Sequence, residues 1–326
     1  MRIFNGKPDQ SEVWTVEKRR LGNSGLEVSL VGLGCNNFGG RIDFERTRSV
    51  VHKALDVGIN LFDTADVYTR GTSEEFLGKA LGTRRADAVI ATKVAKPMDD
   101  ERRLSGTSRR YIVSAVEASL RRLGTDWIDL YQLHESDLKT PIEETLRALD
   151  DLVQSGKVRY LGCSNFAAWQ VVEAQLTARH ANGTQFISFQ DEYSLVARDI
   201  ERELIPVAGS YGMGLLPYFP LACGLLTGKY KKDAPMPEGT RITGTKSYAD
   251  KYLTVKNWHI VEELSKFVST RGRSLLDLAF SWLAARPTVS SIIAGATKPE
   301  QVEQNAKAAA WKLSADEIAE VDSITA

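Results

Sequence analysis

Short apolar runs alternate along this chain with longer stretches in which apolar residues recur at helical spacing. The apolar runs predict strands at residues 31–34, 59–62, 88–92, 127–133, 158–162, 186–189, 214–219 and 291–294. The periodic stretches predict helices at residues 44–57, 72–81, 108–123, 141–155, 167–181, 199–210, 258–271, 274–285 and 300–309, and a terminal helix after Ser314. Strands that alternate with helices in this way indicate a parallel sheet.

The spacing of these units predicts the fold class. Eight strand–helix units follow one another with no change of composition that would mark a linker, which favours a (β/α)8 barrel. A doubly wound sheet is the alternative. We assign residues 18–326 to this one domain and residues 1–17 to a polar extension. Residues 19–28 contain a turn and predict a β-hairpin, and residues 221–246 form a long connection rich in Gly, Pro and Lys.

Several predicted helices begin with a capping signature, in which a hydroxyl residue is followed three positions later by an acid. This pattern predicts where the helix starts and which side chain satisfies its first N–H groups. It occurs at three places: Thr72 with Glu75, Thr140 with Glu143 around Pro141, and Ser314 with Glu317.

Composition and charge narrow the class of protein. The 326 residues are 43% hydrophobic and carry no net charge, so nothing favours a nucleic-acid partner. No apolar run is long enough for a membrane span or resembles a signal peptide. The three cysteines contain no Cys-x-x-Cys and favour a reducing, cytoplasmic location, and no grouping has metal-ligand spacing. Nothing here indicates an oligomeric state.

Three consecutive predicted strands end in an ionisable residue, namely Asp63, Lys93 and His134, and Tyr68 follows the first of them. In a barrel the carboxyl ends of the strands share one face, where catalytic groups lie. An ammonium favours the phenolate form of a nearby tyrosine, and a neutral imidazole can donate a hydrogen bond to a substrate oxygen. Such a set can protonate a carbonyl oxygen when hydride reaches its carbon.

Each residue alone has a simpler explanation. Tyr68 could be a packing residue, Lys93 a solvated lysine, Asp63 a helix cap and His134 a satisfied core histidine. Their occurrence at three consecutive strand ends favours function.

Hydride transfer requires a cofactor, because no side chain supplies a hydride. The glycines at 32, 34 and 39 lack the spacing of a Rossmann site. Polar or aromatic residues at later strand ends are better candidates: Ser164 and Asn165, Gln190, and Tyr218. The segment 295–301, with Lys298, joins the last strand to its helix, where backbone N–H groups favour a phosphate. Each could also be a turn or core residue.

These residues occur in motifs that resemble those of the aldo-keto reductases from about residue 18 to the end of the chain. Asp63-Thr-Ala-Asp-Val-Tyr68 looks like the first signature of the family, and the segment 156–166 looks like its second. The segments 220–229 and 295–301 are similar to stretches of bacterial members and of the potassium-channel β-subunit-like branch. The resemblance implies a (β/α)8 barrel, closed below by the hairpin, that binds NADP(H) without a Rossmann fold. It implies Tyr68 as general acid, Lys93 and Asp63 tuning it, and His134 orienting the carbonyl.

The resemblance also assigns cofactor contacts. Three residues would hold the carboxamide, namely Ser164, Asn165 and Gln190, and Tyr218 would stack on the nicotinamide. The motif at 220–229 assigns Pro220, Leu221, Gly224 and Lys229. The adenosine-phosphate end would be lined by Gly295, Thr297, Lys298, Gln301 and Asn305. The chain departs from the family pattern at Cys163, Asp191 and Ala294. None of these belongs to the catalytic tetrad, which consists of Asp63, Tyr68, Lys93 and His134.

The predicted function is the NADP(H)-dependent, reversible reduction of an aldehyde or ketone to an alcohol. Two alternatives remain open. The protein could be an NADP(H)-binding redox-sensing subunit with little catalysis, or a barrel isomerase or lyase acting on a phosphorylated substrate. The sequence does not identify the carbonyl substrate, whose pocket would be shaped by residues 36–41, 96–106 and 221–246.

Overall fold

The computed structural model describes residues 15–232, 234–237 and 239–326, so residues 1–14 of the predicted extension lie outside the described residues. The strands are β1 (Lys18–Arg20), β2 (Glu27–Ser29), β3 (Val31–Gly34), β4 (Leu61–Asp63), β5 (Val89–Val94), β6 (Ile128–Leu133), β7 (Val158–Ser164), β8 (Phe186–Gln190), β9 (Gly214–Leu215) and β10 (Ile292–Gly295). β3 to β10 form one parallel sheet in the order β10, β3, β4, β5, β6, β7, β8, β9.

The two outer strands of this sheet meet and close it. Single parallel bridges pair Leu215 with Val289 and Tyr218 with Ile293. Each strand therefore neighbours the next one in the chain, which is the topology of a (β/α)8 barrel. The predicted fold class is confirmed, and the doubly wound alternative is wrong.

Helices surround the sheet in chain order. They are α1 (Phe44–Asp56), α2 (Thr72–Leu81), α3 (Arg109–Leu123), α4 (Ile142–Gln154), α5 (Ala168–His180), α6 (Leu204–Ser210), α7 (Lys246–Tyr252), α8 (Val255–Ser269), α9 (Leu275–Ala284), α10 (Pro299–Ala308) and α11 (Ala315–Ile324). The sequence did not predict α7, which follows the long connection at residues 221–246. The predicted strand at 214–219 is shorter, since only Gly214–Leu215 form a continuous ladder.

Two of the three predicted capping boxes are wrong. Gly71, with φ 95°, precedes α2 and provides no side-chain cap, so Thr72 is already helical. Thr140 donates instead to the Asp137 carboxylate at 2.8 Å, which leaves Pro141 as the residue before α4. The third is confirmed, because Ser314 and Glu317 cap each other reciprocally at the start of α11.

The predicted hairpin, β1 with β2, lies across the amino-terminal ends of the barrel strands. Its Leu21 and Val28 are fully buried and pack with apolar side chains inside the barrel. Arg19 donates to the carbonyl of Val289 at 3.1 Å, and Ser290 donates to the carbonyl of Arg20 at 3.0 Å. These contacts therefore hold the hairpin against the region where the barrel closes.

The opposite face of the barrel remains open. No helix in the described part of the chain is both long and apolar enough to cross a membrane. The three cysteines, Cys35, Cys163 and Cys223, are buried and form no disulfide.

Candidate active site

A cavity of about 760 Å³ opens at the carboxyl ends of the barrel strands. Three predicted catalytic residues line it, Asp63, Tyr68 and His134, while Lys93 lies fully buried beneath them. The lining also includes twelve of the thirteen predicted cofactor residues: Ser164, Asn165, Gln190, Tyr218, Pro220, Leu221, Gly224, Lys229, Gly295, Thr297, Gln301 and Asn305. Among the residues that the structure describes, no group of three or more His, Cys, Asp or Glu could hold a metal ion.

A buried ion pair forms the floor of the site. The Lys93 Nζ donates to the Asp63 Oδ1 at 2.6 Å and to the carbonyl of Thr64 at 2.9 Å. The other oxygen of Asp63 accepts from Gln190 at 2.8 Å and from Gln132 at 3.3 Å. A buried ion pair is tolerated when its remaining polar atoms are satisfied, and these amides supply that partnership.

Gln132 is a residue that the sequence reasoning missed. It is fully buried on β6, two positions before His134 and hence on the same face of the strand. A glutamine at that position in an otherwise mostly apolar strand was the available signal. Gln190, by contrast, was assigned to the cofactor carboxamide, but its amide nitrogen is already committed to Asp63.

The protonation of Tyr68 depends on its burial and on the charges of this pair. Burial alone would lower the pKa of Lys93, but Asp63 and then Tyr68 outweigh it and raise that pKa, so the ammonium persists. The Lys93 Nζ lies 5.2 Å from the centroid of the Tyr68 ring. It favours the phenolate as expected, yet burial has the larger effect and raises the pKa of Tyr68 above its ordinary value. Tyr68 is therefore a protonated phenol at neutral pH.

His134 stands beside this phenol at the cavity wall. The two rings meet edge to face, with centroids 5.8 Å apart and an interplanar angle of 82°. Burial, followed by the charges of Lys93 and Lys96, lowers the pKa of His134 to about 2. The imidazole is neutral, and its Nδ1 has no hydrogen-bond partner among the described residues. The wall thus presents a protonated phenol O–H and a neutral ring with one N–H.

Small polar side chains continue the wall from β7 to β9. Ser164 donates to the carbonyl of Gln190 at 2.7 Å, and Asn165 donates to the carbonyl of His134 at 2.9 Å. The Tyr218 hydroxyl donates to the Asn165 side-chain oxygen at 2.8 Å. Asn165 has a φ of 56°, a left-handed conformation that asparagine tolerates better than most residues. These contacts fix an amide and a half-buried aromatic ring next to the tetrad.

The far end of the cavity lies at the start of α10. The backbone N–H and the hydroxyl of Thr297 both donate to Gln301, at 2.8 and 3.1 Å. Gly295 is exposed, and a Cβ there would lie 3.1 Å from the Asn37 amide nitrogen. Lys298 is exposed and is absent from the cavity lining. The groove therefore leads from the tetrad to a helix N-terminus, which suits an elongated ligand with an anionic end.

The connection at residues 221–246 crosses this groove. Arg241 donates to the side-chain oxygens of Asn36 and Asn37, each at 3.0 Å, and Arg41 donates to the carbonyl of Gly239 at 2.9 Å. Two of the three segments expected to shape the pocket, 36–41 and 221–246, line the cavity at several positions. From the third segment, 96–106, the cavity lining contains Lys96 only.

This chain is similar to one protein family and to several named proteins over most of its length. A profile described as "Aldo/keto reductase family" matches residues 30–326. A probable voltage-gated potassium channel subunit beta of Arabidopsis thaliana is 38% identical over 302 residues, which cover 90% of this chain and 91% of the relative. A versiconal hemiacetal acetate reductase of Aspergillus parasiticus is 34% identical over 335 residues, covering 93% and 95%. An L-glyceraldehyde 3-phosphate reductase of Escherichia coli O157:H7 is 33% identical over 321 residues, covering 94% and 92%.

Proposed function

We propose that this chain, which belongs to the aldo/keto reductase family, reduces an aldehyde or ketone to an alcohol. The reductant is NADPH, and the reaction is reversible. The observation that carries the proposal is a protonated phenol and a neutral imidazole side by side at a cavity, above a buried lysine–aspartate pair. Two of the relatives are named as reductases of a hemiacetal acetate and of an aldehyde phosphate, which supports carbonyl reduction.

The side chains would divide the work by charge. NADPH, when bound, supplies the hydride. Tyr68 gives its proton to the carbonyl oxygen, and the Lys93 ammonium stabilises the phenolate that results. Asp63 holds that ammonium in place through the 2.6 Å contact. The N–H of the neutral His134 ring orients the carbonyl and stabilises charge on its oxygen.

The cofactor residues fit an elongated dinucleotide. The fixed amide of Asn165, with Ser164, would hold the carboxamide, and the free oxygen of Gln190 would accept from it. The half-buried Tyr218 would pack on the nicotinamide ring. A preference for NADP(H) over NAD(H) rests on Lys298, which is exposed beside the N-terminus of α10. We also propose a cytoplasmic location, which the unpaired cysteines favour.

The test is NADPH oxidation by the purified protein with a reactive aromatic aldehyde. Tyr68→Phe keeps the ring and removes the acid, so we expect turnover to fall by about 10²- to 10⁴-fold. The affinity for NADPH, followed by quenching of intrinsic fluorescence, should stay nearly the same. Full activity in this variant would refute the role of Tyr68. Turnover of a phosphorylated substrate with no nicotinamide present would instead favour the isomerase or lyase alternative.

A redox-sensing subunit is the second candidate. The observation in its favour is that relatives in two plants and in Schizosaccharomyces pombe are named as voltage-gated potassium channel subunits beta. It predicts tight NADPH binding without turnover of any carbonyl tested. The paired and oriented tetrad favours the enzyme.

A further inference from the structure

The cavity carries an excess of positive charge that the protein as a whole lacks. The chain has no net charge, yet the described residues that line the cavity include four cationic side chains: Arg41, Lys96, Lys229 and Arg241. The one acidic residue in the same lining is Asp63, which is already paired with Lys93. An anionic ligand would therefore be attracted to this cavity.

Lys96 stands apart from the other three cations. Arg41 donates to the connection at residues 221–246, and Arg241, which belongs to that connection, donates to the loop after β3. Lys229 lies next to Gly224 among the predicted cofactor residues. Lys96 follows β5 instead, on the same side of the cavity as His134, and its charge helps to keep that imidazole neutral. It makes neither a salt bridge nor a hydrogen bond with any residue that the structure describes.

The backbone before Lys96 is strained. Ala95 is almost fully buried and has a φ of 112°, a backbone conformation that a residue with a Cβ rarely adopts. Two backbone hydrogen bonds hold this segment: the N–H of Gly106 donates to the carbonyl of Ala95, and the backbone N–H of His134 donates to the carbonyl of Val94, each at 2.8 Å. A strained backbone conformation persists only where its surroundings hold it in place. Here the held backbone positions the next residue, Lys96, at the cavity wall beside His134.

We propose that Lys96 binds an anionic substituent of the carbonyl substrate, a carboxylate or a phosphate, and so selects acidic aldehydes or ketones. This inference rests on the proposed reductase function. The reacting carbonyl lies at Tyr68 and His134, and the anionic group extends from it toward β5, away from the predicted cofactor residues. An ammonium at the wall of a partly closed cavity interacts more strongly with an anion than one in open water.

The test compares two aldehydes that differ mainly in charge, 4-formylbenzoate and its methyl ester. We expect the native protein to have a kcat/KM at least tenfold higher for the acid, because a hydrogen bond to a charged group contributes about that factor. Lys96→Gln should abolish this preference, Lys96→Glu should reverse it, and Lys96→Arg should retain it. A third substrate, 4-formylphenyl phosphate, distinguishes a phosphate site from a carboxylate site. The site is specific for the anion whose kcat/KM falls more in Lys96→Gln.

The chain offers a matched control in the same loop. Arg103→Gln removes the same charge, but the Arg103 side chain is 77% exposed, pairs with Asp99 and Glu101, and does not line the cavity. We expect the ratio of the two kcat/KM values to stay unchanged in this variant. The proposal would be overturned if the ratio of kcat/KM for the acid to that for the ester were the same in the native protein and in Lys96→Gln. It would also be overturned if Arg103→Gln lowered this ratio as much as Lys96→Gln does.

A binding measurement separates this inference from the proposed function. Benzoate and benzamide have nearly the same shape and cannot be reduced by this chemistry. Calorimetry should show that benzoate binds more tightly than benzamide to the native protein and that Lys96→Gln removes the difference. If neither aldehyde is turned over but this difference appears, the reductase proposal fails and the anion site stands. Equal affinities of both ligands for the native protein overturn the anion site whatever the activity.

Discussion

Asp66 is a buried acid that the proposed chemistry does not use, and its replacement should stabilise the fold at neutral pH. It lies in the loop after β4, is 1% exposed, and neither carboxylate oxygen has a hydrogen-bond partner among the described residues. Burial, followed by the nearby Glu74 carboxylate, raises the pKa of Asp66 to about 8. The folded protein therefore keeps this carboxyl protonated at pH 7, whereas the unfolded chain releases the proton.

The size and the sign follow from that difference in pKa. An unfolded aspartate titrates near 3.9, so between about pH 4 and pH 8 the folded state binds a proton that the unfolded state has lost, and stability falls as pH rises. The slope is about 1.4 kcal/mol per pH unit, which amounts to about 4 kcal/mol between pH 4 and pH 7. Asp66→Asn has no such proton, and we expect it to be more stable than the native protein by about 2 to 4 kcal/mol at pH 7.5 and nearly equal at pH 4.5.

Urea unfolding at pH 4.5, 6 and 7.5 measures this, with the stability taken from the midpoint and slope at each pH. Asp126→Asn is the control, because Asp126 is an exposed aspartate in the loop before β6. Its effect on stability should be small and independent of pH. The reasoning would be refuted if Asp66→Asn were less stable at every pH, since that would mean the carboxylate is ionised and held by a partner.

Two other substitutions test packing and closure. A Cβ on Gly78 would lie 2.1 Å from the backbone oxygen of Leu123, so Gly78→Ala should destabilise the fold by about 2 kcal/mol, although alanine is the better helix former. Gly209→Ala, in a helix with open space around the glycine, should be neutral or stabilising in the same urea titration. Arg241→Ala removes two hydrogen bonds to the loop after β3, and NADPH should dissociate about tenfold faster in stopped-flow fluorescence. An unchanged rate would mean that this contact does not retain the ligand.

The architecture was predictable because strand and helix periodicities are local properties of the sequence. Asp63, Lys93 and His134 were found in the same way, since consecutive parallel strands of a barrel bring their carboxyl ends to one face. Gln132 was not found, because its role depends on a contact with Asp63 from a separate strand. The net direction of the Tyr68 pKa was also beyond local reasoning, since burial is a property of the whole fold.

Helix starts and the far end of the groove show the same limit. Thr140 and Glu143 have the spacing of a capping box, but in the folded chain the Thr140 hydroxyl donates to the Asp137 carboxylate instead. Lys298 occupies the motif position assigned to the cofactor phosphate, yet its side chain is exposed and lies outside the cavity lining. Motif spacing therefore identified a loop that reaches the cavity, but it did not fix where each side chain of that loop points.

The contacts between the hairpin and the region where the barrel closes also affect folding during synthesis on the ribosome. Arg19 and Val289, which hydrogen-bond to each other, are 270 positions apart in the chain. At about 5 to 20 residues per second, a ribosome needs about 15 to 50 s between synthesising the two. Leu21 and Val28 remain without their final neighbours through that interval, because part of the surface that buries them is not yet synthesised. Nascent chains stalled before residue 289 should therefore bind chaperones through this first hairpin, and release should coincide with emergence of the last strand.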